Sequence, residues 1–159
     1  MSLLDKEAVK RAQSSIKKFD ETLKVITLEN SARTAIDAAS SLGCEVGAIV
    51  KSLLFKTDDT FILTLIAGNK RCSVSKLKKI TGKKDVSMAN PEAVKTQTGY
   101  TIGGVSPVGH INKLEILIDS SLEKFNNLYA AAGHPKCVFK IDFISLQKIT
   151  NGKIKELTE

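Results

Sequence analysis

The sequence predicts an α+β fold, a single domain with a mixed, barrel-like β-sheet surrounded by helices. Three observations lead there. At 159 residues the chain is long enough to bury one core and short for two. Segments whose apolar residues recur about every 3.6 positions are intermixed with β-rich segments, without the regular alternation of a βαβ protein. Turn signals at Asp58-Asp59 and at Gly133-His134-Pro135 each separate two β-rich runs, as hairpins require.

Ser2 and Asp5 carry the pattern of a capping box. Val9, Ala12, Ile16 and Phe19 follow at helical spacing, so an amphipathic helix is expected over about residues 3–19. "KVITLE" reads as a short strand. Asn30 or Ser31 then caps a second helix, whose Ala32, Ala35, Ile36, Ala39 and Leu42 form an apolar stripe ending at Gly43. "KSLLFKTDDTFILTLIAG" is the clearest hairpin signal in the chain. A short helix from Ser75 to Ile80 stops at Gly82, and Asn90 before Pro91 starts another that ends at Gly99. Leu114, Ile116 and Ile118 alternate with Glu115, Leu117 and Asp119 as in a half-buried strand. "NLYAAAG" and "KCVFKI" form a second hairpin, and Asp142 caps a last helix carrying Leu146 and Ile149. No linker or repeat divides residues 1–159.

Composition narrows the function. No apolar run approaches the ~20 residues of a membrane helix, and the first residues lack the basic-then-apolar order of a secretory signal. A cytoplasmic protein with no membrane partner is expected. Cys44, Cys72 and Cys137 are odd in number and contain no CxxC pair, which disfavours a disulfide framework or a metal site; no cofactor is implied. Nothing ties either histidine to a cysteine, so thiol catalysis lacks its base. The formal charge of +7 comes mostly from lysine, including Lys17-Lys18, "KLKKITGKK" and Lys148, Lys153 and Lys155. With six Phe, two Tyr and no Trp, a base-stacking platform is poorly supported. A basic rim around some other site fits better, and DNA is not an expected partner.

The stretch "TGYTIGGVSPVGH" is neither GxGxxG nor a P-loop. Gly103 and Gly104 remove side chains and let backbone N–H groups approach a ligand oxygen, while Pro107 stiffens the exit. Such a loop either supplies an oxyanion hole or simply makes a tight turn. Lys51 opens the apolar run "IVKSLLF", an unusual place for a surface lysine.

These motifs resemble the YbaK/ProX family of aminoacyl-tRNA deacylases, whose fold also occurs as the editing insertion of bacterial prolyl-tRNA synthetases. "TGYTIGGVSPVGH" is similar to the family signature, "GAIVKSLLFK" to its lysine-bearing strand, and "YAAAGHP" to the far wall of the pocket. Order and spacing agree over roughly residues 22–150. The resemblance implies hydrolysis of the ester between a wrongly attached amino acid and a tRNA. Mischarged tRNA and an aminoacyl-tRNA synthetase are the implied partners. By position, Lys51, Gly103 and Gly104 are the expected catalytic residues. Ser52, Val105, Ser106, Pro107, His110, Ala132, Gly133 and His134 are the expected substrate-binding ones. Lys51 binds either the carbonyl or a tRNA phosphate, and water or a substrate group attacks. His110 faces the loop or caps its exit, and His134 faces the pocket or makes the turn. Some family members carry a serine and an acidic residue on the late strand, where this chain has Ala130, Ala131, Ala132 and Val138. A noncatalytic tRNA- or synthetase-binding module and a lysine Schiff-base enzyme are the competing readings.

Overall fold

The computed structural model describes residues 2–30 and 32–159. Helix α1 (Glu7–Phe19) buries Val9, Ala12 and Ile16 completely along one stripe, while Phe19 at its end stays 40% exposed. The expected start is shifted. Ser2 Oγ accepts from the Leu4 N–H and caps only a one-turn 3-10 segment, Leu3–Asp5. After β1 (Ile26–Thr27) comes α2 (Ala35–Leu42), whose cap is Thr34, its hydroxyl accepting from the Asp37 N–H at 3.1 Å. Asn30 lies too far upstream to cap it, and Ser31 falls outside the described residues. Gly43 ends α2 in the left-handed region as expected. Its buried positions are Ala38 and Ala39, and Ile36 is 68% exposed.

Strands β2 (Ile49–Thr57) and β3 (Phe61–Ala67) form the predicted hairpin, with Val50 opposite Ala67 and Lys56 opposite Phe61. Helix α3 (Val74–Thr81) is capped by Ser73 and ended by Gly82, and strand β4 (Val86–Met88) follows. Helix α4 (Pro91–Thr98) has the Asn90 cap and the Gly99 stop that the sequence predicts. Strand β5 (Glu115–Asp119) leads to the hairpin β6 (Leu128–His134) and β7 (Cys137–Ile141). Helix α5 (Phe143–Thr150), capped by Asp142, and strand β8 (Lys153–Lys155) complete the chain.

The sheet runs β1-β7-β6-β2-β3-β5-β8, with β4 added to β2. It is mixed, as expected: β2 with β6, β3 with β5 and β5 with β8 are parallel, and the remaining pairs are antiparallel. The path is open at β1 and β8. Both faces are covered. Val9, Ile16, Val50, Leu54, Ile116, Ile118 and Phe139 join the main core, whereas Phe55, Ile62, Ile66, Leu77 and Leu117 form a second apolar layer. This is why Ile116, Leu117, Ile118 and Asp119 are all buried, where alternation alone predicted a half-buried strand.

Candidate active site

The candidate site arises from a missing neighbour in the sheet. On the edge of β2 away from β3, β6 pairs only with Ile49 and Val50, and β4 only with Phe55 to Thr57. The Gly68 N–H donates to the Ile49 carbonyl and the Thr57 N–H to the Thr60 carbonyl, so the odd-numbered residues of β2 direct their backbone groups toward β3. Ser52 therefore turns its N–H and C=O toward the uncovered edge. Its hydroxyl is buried and has no hydrogen-bond partner among the described residues. A buried polar side chain normally finds one.

A cleft of about 450 Å³ opens at this gap. Lys51, Ser52 and Leu53 form its β2 side, Gly103 and Val105 come from the glycine-rich loop, and Ala131, His134 and Val138 from the β6–β7 hairpin. Lys51 is half-buried, and its ammonium donates to the Lys70 carbonyl at 2.7 Å. Burial, and then the nearby Arg71 charge, lower its pKa from the ordinary 10.5. The Lys70 carbonyl thus fixes the ammonium, while partial burial makes its charge easier to lose. His134 Nδ1 accepts from the Lys136 N–H at 3.0 Å, which leaves the proton of the neutral ring on Nε2. Burial first, and then Lys6, Lys136 and Arg33, hold its pKa below the usual histidine value and so favour that neutral ring.

The glycine loop is braced from within. Thr98 Oγ1 donates to the Val94 carbonyl at 2.7 Å and accepts from the Tyr100 N–H. The fully buried Tyr100 donates from its hydroxyl to the Val108 carbonyl at 2.8 Å, and the Gly104 N–H donates to the Thr101 carbonyl at 2.9 Å. The loop is fastened to β6 by the Gly133 N–H on the Gly104 carbonyl at 2.9 Å. Gly103 has φ +92, a conformation that favours glycine, and the N–H groups of Gly103 and Val105 bond to no described residue. With the equally unbonded N–H of Ile102, they are the donors this loop brings to the cleft.

Lys51, Ser52, Gly103, Val105 and His134 are therefore brought together, and the other expected residues are not. Gly104 has both backbone groups occupied, and a Cβ there would lie 2.8 Å from the His134 nitrogen; it is glycine because β6 passes against it. Ser106 is fully buried, its hydroxyl accepting from the Val108 N–H. Pro107 and His110 line a separate cleft with Ser15 and Lys18. His110 Nε2 bonds the Ser106 carbonyl at 2.7 Å, and its ring stands edge-on to Tyr100. Ala132 is fully buried in the main core, and Gly133 packs on the Ala8 backbone of α1. Sequence reasoning missed Arg33, Ile36 and Ile102 at the cleft. The exposed Ile36 broke the expected inward stripe of α2, but only the fold shows where it points.

Cys137 is buried with a raised pKa, and the Ser52 hydroxyl bonds to no base among the described residues, so neither is activated as a nucleophile in this structure. Among the described residues no three His, Cys, Asp or Glu side chains form a metal-ligand group. An unpartnered hydroxyl and unbonded backbone N–H groups make this a cleft of hydrogen-bond donors, the class of site that takes an oxygen-bearing ligand. The particular family follows from comparison with known proteins: residues 29–149 match the aminoacyl-tRNA editing domain, and the chain belongs to that family. It is 36% identical over 111 residues to the proline–tRNA ligase of Thermosipho melanesiensis, covering 69% of this chain and 20% of the ligase. The chain thus spans a fifth of that relative. It is 29% identical over 126 residues to an Enterococcus faecalis protein provisionally named a Cys-tRNA(Pro)/Cys-tRNA(Cys) deacylase, covering 79% of this chain and 77% of the other. A crystal structure provisionally described as a trans-editing enzyme for prolyl-tRNA synthetase superposes with a TM-score of 0.91. That chain is 35% identical, and the match covers 97% of this chain and 98% of the other. No helix among the described residues is long and apolar enough to cross a membrane.

Proposed function

We propose that the chain deacylates mischarged aminoacyl-tRNA in trans, hydrolysing the ester to free amino acid and tRNA. The observation that carries this reading is the buried, unpartnered Ser52 hydroxyl in a cleft that Lys51, Gly103 and Val105 also line, the N–H groups of the last two being unbonded. The ester carbonyl lies between them. As an oxygen nucleophile from water or from the substrate attacks, negative charge grows on the carbonyl oxygen, and these donors meet it without reorganising. Ala35, Ala38, Ala131 and Val138 form the small-residue part of the wall and receive the amino-acid side chain. The near-complete mutual coverage with the trans-editing structure supports action as a separate domain, spanning residues 1–159. Mischarged tRNA is the substrate, a prolyl-tRNA synthetase the associated enzyme, and the cytoplasm the site of action.

The test is release of free amino acid from a panel of matched and mismatched aminoacyl-tRNAs. Wild-type protein clears at least one mismatched pair, and Lys51→Ala lowers that rate about 10²–10³-fold, the usual effect of losing one such charge-stabilising group. The fold survives, because burial disfavours this ammonium in the folded state. A protein inert on every pair, or an unimpaired Lys51→Ala, refutes the proposal.

A further inference from the structure

We propose that Arg11, on α1 and outside the residues matched by the editing-domain family, positions the Gly103 wall of the cleft by fixing the separation of the two ends of the glycine loop. Its guanidinium reaches both ends. Nε donates to the Gly109 carbonyl at 2.7 Å and Nη2 to the Gly99 carbonyl at 2.9 Å, while Nη1 meets the Glu7 carboxylate at 2.7 Å. The same group lies 4.6 Å from the centroid of the Tyr100 ring. A guanidinium holds its donors in a rigid plane, so two carbonyls bound to different nitrogens of one group are held at a set distance; an ammonium imposes no such geometry.

The glycines at both ends make this contact possible. Gly99 and Gly109 have φ +80 and +78, and a Cβ at Gly99 would lie 2.5 Å from Arg11 Nη2. One at Gly109 would lie 2.5 Å from the Tyr100 hydroxyl and 3.3 Å from the Arg11 carbonyl. The Gly99 carbonyl follows the C-terminus of α4, where carbonyls lack helical partners and a cation is favoured. Gly103 and Val105 sit midway along the loop so framed, and their N–H groups bond to no described residue, so their placement depends on the frame. Helix α1 also packs on β6, the strand to which the loop is fastened, since a Cβ at Gly133 would meet the Ala8 backbone at 2.7 Å. One helix therefore holds both the loop and the strand the loop is fastened to.

The kinetic consequence rests on the deacylase reading, whereas the positioning itself does not, and the experiment separates them. Arg11→Met and Arg11→Lys are compared with wild type by amide hydrogen exchange over residues 100–108, and by kcat and KM for the aminoacyl-tRNA cleared fastest. Expected in both variants is exchange about tenfold faster in the loop, with the β2–β3 hairpin unchanged. Expected with it is a fall in kcat of about 10–100-fold at nearly constant KM, as for misplaced catalytic groups. If Arg11→Met does not fold, Arg11→Lys carries the test. Unaltered loop exchange in a folded variant overturns the inference, as does faster exchange with unchanged kcat, or a loss confined to KM. If wild type itself is inert, the deacylase reading has failed and loop exchange alone decides the positioning role.

Discussion

Gly104→Ala separates the chemical role of the glycine loop from its structural one. The added Cβ would stand 2.8 Å from the His134 nitrogen, 2.9 Å from the Gly133 carbonyl carbon and 3.0 Å from the His134 Cα. All three are backbone atoms of β6, so no side chain can swing aside and the loop itself must retreat. Overpacking of this kind costs about 1–3 kcal/mol. The retreat also stretches the Gly133 N–H to Gly104 carbonyl bond, worth about 0.5–1.5 kcal/mol. A total near 2–3 kcal/mol corresponds to a Tm lower by about 4–12 °C in a protein of this size. Gly103 moves with its neighbour, so turnover falls too, by up to about 100-fold for a displacement near 1 Å. The assay is thermal unfolding beside single-turnover deacylation at a temperature where the variant is fully folded. Expected is a joint loss. A variant that keeps its Tm but loses turnover would refute the reasoning, because the added methyl would then obstruct the substrate and not the β6 backbone. Full turnover despite a lowered Tm would show that the wall does not follow the loop.

Two further predictions follow from charge. Burial lowers the pKa of His110 from its usual 6.5, so below that value the unfolded chain binds the proton more readily than the folded one. Stability is therefore retained above pH 6.5 and lost as pH falls from there toward the folded pKa; His110→Asn should flatten the Tm profile between about pH 7.5 and 5.5, leaving the slope due to His134. A profile unchanged by the substitution would count against it. Lys76 and Lys83 are paired with Glu156 and Asp59, while Lys78, Lys79 and Lys84 are exposed, and on the proposed function these last are the expected contacts for tRNA phosphates. Deacylation at subsaturating tRNA should fall steeply between about 50 and 200 mM salt, and Lys78→Gln with Lys79→Gln should reduce the slope; a flat salt response would show these lysines to be merely solvated.

The sequence by itself determined the elements whose signals lie within a few residues of each other. Asn90, Pro91 and Gly99 bound α4, Asp58-Asp59 joins β2 to β3, and Asp142 caps α5 where expected. It also singled out Lys51 and the glycine loop. Tertiary structure decided the rest. The three-residue strands β4 and β8 owe their form to the partners they pair with, and carry no periodic signal of their own. Contiguous motifs were divided between surfaces: in "YAAAGHP", Ala131 lines the cleft while the adjacent Ala132 enters the core, because successive side chains of a strand point to opposite faces. Ser52 turns its backbone groups to an open edge because β6 and β4 leave that stretch of β2 uncovered, and its buried hydroxyl meets no partner there. Arg11 reached Gly109 across 98 residues of chain. A local pattern fixes which way a residue can turn, but what it meets there depends on segments that folding brings from elsewhere.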